Sequence, residues 1–130
     1  MKAVLFVCVE NSNRSQMAEA FARLHGNNHL QVYSAGSRPS GKVNPKAIQA
    51  MQQKGYDLAV HHSKAFSDLP ELPFDFLITM GCGDVCGHVP AVSREDWALP
   101  DPRAMPPAEF NQVRDEIEIR VLDLLTRLDV

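Results

Sequence analysis

The chain has 130 residues, 45% of them apolar and 22% charged, and carries a net charge of −3. That length makes a single domain, residues 1–130, able to bury an ordinary core, and the acidic balance argues against a general nucleic-acid surface. No apolar stretch is long enough to span a bilayer, no secretory leader is legible, and three cysteines suit a reducing compartment better than a disulfide framework.

In chain order, residues 3–8 (AVLFVC) form a continuous apolar run, as expected of a strand buried at the centre of a parallel sheet. From about Ser15, Met17, Phe21 and Leu24 recur at helical spacing until Gly26. Gln31 to Ser34 predicts a second strand ending at the Gly36 turn. Asn44-Pro45 supplies a helix N-cap with proline at the first helical position, after which Ile48 and Met51 face inward and Gly55 stops the helix. Phe74 to Thr79 reads as a third strand, followed by a loop from Gly81 to His88. Ala98 and Leu99 are assigned to a short fourth strand. Phe110, Val113, Ile117, Val121, Leu124 and Leu128 make the apolar stripe of a long terminal helix. The alternation predicts an α/β domain: a four-stranded parallel sheet with helices on both faces and a ligand site beyond the carboxyl ends of the strands.

Cys8 falls at that end. It is followed by Val9, Glu10, Asn11, Ser12 and Asn13, then by Arg14 and Ser15 at the start of the helix. A loop between a strand and a helix converges its N–H groups on an anion, and the positive end of the helix aims at the same point. Arg14 forks two N–H bonds onto anion oxygens, which lysine cannot copy. The same dipoles stabilise a thiolate at Cys8, and the Ser15 hydroxyl can donate to the sulfur. Asn11 suits a position of positive φ. The competing reading is a small buried cysteine beside an exposed arginine; the strand before and the helix after favour the nucleophile. Two further features carry chemistry. Cys82 and Cys86, separated by Gly83-Asp84-Val85 and followed by His88, can form a redox pair, an inert structural pair, or part of a metal site that lacks a fourth ligand. Asp101, before Pro102, is either a general acid beside the anion or an ordinary turn residue. His25, His29, His61 and His62 are expected to be surface or capping residues.

The segment from Val7 to Ala20 resembles the signature of the low-molecular-weight tyrosine phosphatase superfamily. Arg14-Ser15-Gln16-Met17-Ala18-Glu19 is most similar to the arsenate reductases built on that fold. Tyr33-Ser34-Ala35-Gly36, Val43 to Ile48, Ile78 to Asp84, and Asp96-Trp97 before Asp101-Pro102 extend the resemblance over almost the whole chain. It implies that Cys8 attacks arsenate, Cys82 attacks Cys8 as arsenite leaves, and Cys86 takes over the disulfide. Asp101 is the implied proton donor, and residues Val9 to Arg14 hold the substrate, with phosphate as a competing anion. The implied reductant is thioredoxin, or a glutaredoxin or low-molecular-weight thiol system. Asn11, Glu19 and Ser34 match loop-supporting residues that surround a potassium ion in some relatives. Lys64 falls where those relatives carry a shorter polar residue, so no tightly bound metal or other cofactor is expected. The expected protein is a cytoplasmic monomer with no nucleic-acid or membrane partner. The alternative is a phosphomonoesterase using Cys8, Arg14 and Asp101. Against it stand Arg103-Ala104-Met105 in place of paired aromatics, and Asn13 in place of a second loop cysteine. A non-catalytic anion-binding module has no need of the thiols.

Overall fold

A strand without a polar face is stable only where both faces are covered, and β1 (Lys2–Cys8) accordingly lies inside the sheet. In the computed structural model, which describes residues 2–71, 73–81 and 89–129, four parallel strands run in the order β2-β1-β3-β4. The others are β2 (Leu30–Gly36), β3 (Phe74–Thr79) and β4 (Ala91–Asp96). Side chains alternate across β1. Val4, Phe6 and Cys8 join one core with all three helices, α1 (Arg14–His25), α2 (Pro45–Gln52) and α3 (Pro107–Leu128). Ala3, Leu5 and Val7 form a second core on the other face, covered by Phe66 and Leu69 around the short 3₁₀ helix Phe66–Asp68. β2 and β3 flank β1 on opposite sides, so the chain leaving β1 enters the crevice where strand order reverses, and Cys8 stands at its edge.

The terminal helix follows its apolar period: Phe110, Val113, Ile117, Val121, Leu124 and Leu128 are all buried. Burying such side chains contributes roughly 1.5–3 kcal/mol each. Asn44 caps α2 by accepting from the Lys46 N–H at 3.0 Å, with Pro45 at the first position. Two expectations need correction. The fourth strand is Ala91–Asp96, whereas Leu99 lies beyond it in the core. As an edge strand paired only with β3, β4 leaves Val92, Ser93 and Arg94 exposed and so shows no apolar run. Leu24 is 41% exposed, because the buried stripe of α1 ends at Phe21 and Ala22.

Candidate active site

The turn from β1 into α1 is built by its carbonyls. Every one from Cys8 to Asn13 accepts a hydrogen bond from the surrounding scaffold. Cys8 O accepts from Ser37 N, Val9 O from Arg38 N, Glu10 O from Ser40 N and the Ser63 hydroxyl, and Ser12 O from Asn44 N. Asn11 O accepts from Gln16 Nε2, and Asn13 O from Met17 N. With the carbonyls held outward, the peptide N–H groups are left to the interior of the loop. Asn13 gives α1 no side-chain cap, so the first turn keeps its unsatisfied donors as well. An anion is the natural partner for such a set. Gly36, paired with Cys8 across β1 and β2, permits the close approach: a Cβ there would stand 2.5 Å from Val9 O and 2.9 Å from Asn11 N.

Cys8 is buried at the floor of this loop, with its Sγ 2.8 Å from the Ser15 hydroxyl. A chain of partners stands behind that hydroxyl. Glu19 is an acceptor when ionised, so the Ser34 hydroxyl donates to it. Ser34 in turn accepts from Asn11 Nδ2 at 3.0 Å, and the same amide donates to Ser15 Oγ at 2.8 Å. Asn11 Oδ1 accepts from Gln16 Nε2 and the Lys64 N–H, both at 2.8 Å, which settles which end of the amide is which. Ser15, already accepting from Asn11, keeps its proton available for the Cys8 sulfur, which as a thiolate can only accept it. Asn11 is fully buried at φ 50°, as expected for an asparagine in the loop.

The chain ends in a charged cluster that composition and spacing do not announce. Glu19 accepts from Arg23 Nε at 2.8 Å, and the Lys64 ammonium lies 3.7 Å from its other oxygen. Burial pushes the Glu19 carboxyl up, but the Ser34 hydrogen bond and the charges of Lys64, His61 and Arg23 outweigh it and leave it below the ordinary carboxylate value. His61 belongs here and not on the surface: its side chain is only 6% exposed. Its Nδ1 lies 2.9 Å from Gln16 Oε1, which only accepts, so Nδ1 carries the proton and Nε2 receives the Tyr56 hydroxyl at 2.6 Å. Burial holds the ring below its ordinary value of 6.5, and Arg23 and Lys64 reinforce this against the pull of Glu19.

Arg14 is 8% exposed and divides its guanidinium between two tasks. One terminal nitrogen donates to Met80 O at 2.7 Å and Leu99 O at 2.9 Å. Its Nε is buried with no partner among the described residues, leaving donor capacity for an oxyanion. The cavity above, about 400 Å³, is lined by Cys8, Val9, Glu10, Ser12, Asn13 and Arg14 and, at its exposed rim, by Arg38, Asp101 and Arg103. Asp101 is exposed at this rim and accepts from the Arg103 N–H at 3.0 Å.

Of the residues singled out from the sequence, Cys8, Arg14, Ser15, Asp101 and the loop from Val9 to Asn13 are thus gathered around one cavity or its floor. Cys82 and Cys86 lie outside the described residues. Among the described residues no group of three His, Cys, Asp or Glu side chains is placed to hold a metal ion. No helix there is long and apolar enough to cross a membrane. Sequence reasoning does not reach Gln16, His61 and Tyr56 as a group, because Gln16 meets His61 across 45 residues and Tyr56 joins them only through the His61 ring.

Residues 3–130 match the sequence model of the family described as low molecular weight phosphotyrosine protein phosphatase. Arsenate reductase 2 of Staphylococcus epidermidis is 38% identical over 130 residues, covering 97% of this chain and 98% of the relative. An arsenate reductase of Staphylococcus aureus is similar to the same extent. Among solved structures, an arsenate reductase in the phosphate binding state superimposes with a TM-score of 0.86 at 35% identity, over 98% of both chains. A thioredoxin-dependent arsenate reductase of Corynebacterium glutamicum gives 0.79 at 30% identity, over 99% of this chain and 62% of that one. With the match running from the first strand through the last helix, the chain belongs to the low molecular weight phosphotyrosine protein phosphatase family.

Proposed function

We propose that this protein reduces arsenate to arsenite by thiol chemistry centred on Cys8. The observation that carries the reading is the Ser15 hydroxyl aimed at the Cys8 sulfur, at the floor of a loop whose carbonyls are all turned away. The similarity to arsenate reductases over the whole chain directs that nucleophile toward arsenic.

In the first step the Cys8 thiolate attacks arsenic(V), an S–As bond forms, and an oxygen leaves as water after taking a proton from Asp101. Arg14 and the loop N–H groups hold the remaining oxygens and the charge that develops on them. Cys82 then attacks Cys8 Sγ. An S–S bond forms, the S–As electron pair passes to arsenic, and arsenite, now arsenic(III), departs. Cys86 attacks Cys82, moves the disulfide to that pair and frees the Cys8 thiolate. An external dithiol of the thioredoxin class, or a glutaredoxin or low-molecular-weight thiol system, reduces the pair in turn. Lys64 supplies positive charge beside Glu19 and Ser34, so the loop is supported without a tightly bound metal. The protein works as a cytoplasmic monomer.

Two substitutions separate reduction from phosphomonoester hydrolysis, which needs only Cys8, Arg14 and Asp101. Cys82→Ser should stop multiple-turnover arsenate reduction, measured as NADPH consumption with thioredoxin and thioredoxin reductase. Cys86→Ser should permit one turnover and trap a Cys8–Cys82 disulfide, visible by peptide mass mapping. If neither change affects turnover, an external thiol resolves the adduct and the internal relay is wrong. Efficient hydrolysis of aryl phosphates without any arsenate reduction would establish the phosphatase reading instead.

A further inference from the structure

A carboxylate on an anion-binding loop has the wrong sign, yet Glu10 occupies the rim of the cavity over Cys8. Its Oε2 lies 2.9 Å from an Arg103 terminal nitrogen. This ion pair joins residues 93 positions apart and spans the mouth from the loop to the Asp101 turn. The two side chains are 64% and 37% exposed, for Arg103 and Glu10 respectively, and exposed pairs of this kind contribute little to fold stability. Nor does the pair position the Arg103 backbone, which is held separately. Its N–H donates to Asp101 Oδ1 at 3.0 Å, and its carbonyl accepts from Lys46 Nζ at 2.9 Å. The guanidinium is therefore free to exchange partners without disturbing the turn. Arg14 is differently placed, with one nitrogen committed to two main-chain carbonyls at the floor.

Building on the reading of this cavity as the oxyanion site, we propose that Glu10 and Arg103 form a specificity-determining pair that sets its affinity for the tetrahedral anion. In the empty site Arg103 cancels the Glu10 charge. When a dianion such as arsenate or phosphate enters, it competes with Glu10 for the same guanidinium. Glu10 thereby weakens anion binding and Arg103 strengthens it. A site that must let go of phosphate, the competing anion, between turnovers gains from such a built-in competitor. In a protein of net charge −3, an uncompensated carboxylate at the entrance would also repel the anion on approach.

The test follows from the rim charge. It is neutral in the wild type, positive in Glu10→Gln, negative in Arg103→Ala and neutral again in the double variant. The probe is inorganic phosphate protecting Cys8 of the reduced protein from iodoacetamide, with the Cys8 peptide quantified by mass spectrometry. The dissociation constant is taken from the phosphate dependence within each variant. Glu10→Gln should bind phosphate about fivefold more tightly and Arg103→Ala about fivefold more weakly, as expected for one unit charge several ångströms from a dianion in a hydrated rim. The double variant should return close to wild type, and the spread should shrink as ionic strength rises beyond the Debye regime. A purely structural pair predicts another pattern: both single variants weaken binding and the double variant does not recover. That result, or no shift in either variant, overturns the proposal while leaving the oxyanion site standing. Absence of any phosphate protection in the wild type overturns the site itself.

Discussion

Replacing Asn11 by alanine should cost this protein much of its stability, although this buried polar residue is not a member of the hydrophobic core. Four hydrogen bonds are lost: two donated to Ser15 and Ser34, and two accepted from Gln16 and the Lys64 N–H. At about 1 kcal/mol each they sum to about 4 kcal/mol. Alanine must also adopt the φ of 50° found at this fully buried position, adding roughly 1–2 kcal/mol. A loss of about 5 kcal/mol is a large share of the 5–15 kcal/mol available to a typical domain. Asn11→Gly separates the two contributions: it loses the same four bonds but tolerates the backbone angle, and should lie about 1 kcal/mol above the alanine variant. Urea unfolding followed by far-UV circular dichroism measures both, with equal slopes required before midpoints are compared. An alanine variant within about 1 kcal/mol of wild type would refute the hydrogen-bond accounting. A glycine variant less stable than alanine would refute the backbone argument.

Gly36→Ala places a methyl group 2.5 Å from Val9 O and 3.0 Å from Glu10 C, both backbone atoms, so the loop must move. Overpacking costs about 1–3 kcal/mol, and kcat/KM for arsenate should fall by roughly a hundredfold because the cradle is displaced; near-wild-type kinetics would show that the loop yields freely. His61 makes stability depend on pH. Its folded-state pKa lies below its unfolded value of 6.5, so the unfolded chain binds the extra proton first, and stability present above pH 6.5 declines as pH falls through the folded value. Glu19, also depressed, adds a second decline only below its ordinary value of 4.5. Thermal melts between pH 7.5 and pH 5 should therefore slope less steeply in His61→Gln than in wild type; parallel slopes would place the proton elsewhere.

Local chemistry and periodicity carry far in this sequence. The loop from Cys8 to Ser15 is legible because neighbouring residues must make it: strand end, asparagine at positive φ, arginine and serine on the first turn of one helix. The bounds of β3 are legible as a short, largely apolar run, and the buried stripe of α3 because burial there follows the helical period. What stayed hidden depends on tertiary approach. β4 is polar because an edge strand needs only one neighbour, so no apolar pattern marks it. His61 reads as an ordinary polar residue until Gln16 and Tyr56 are brought to its two nitrogens. The pairing of Glu10 with Arg103 has no trace in either residue's neighbourhood, since each is an unremarkable loop charge until the cavity brings them together.

The ties between Arg14 and the end of β3 have a consequence for how loop chemistry can diversify. The guanidinium grips Met80 through its carbonyl, and the Met80 N–H donates to Val7 O at 3.0 Å. Both attachments use main-chain atoms, which every amino acid supplies. Gly81, the next residue, is held differently: its N–H donates to the Asp96 side chain at 3.2 Å, and its φ of 80° is one that glycine adopts without strain. Variation is therefore constrained at this residue: a Cβ at position 81 would stand 3.2 Å from Arg14 Nη1 and 3.0 Å from Leu99 O. Arg14 thus couples the end of β3 to the loop after β1, and a change at residue 81 would be felt in the cradle itself.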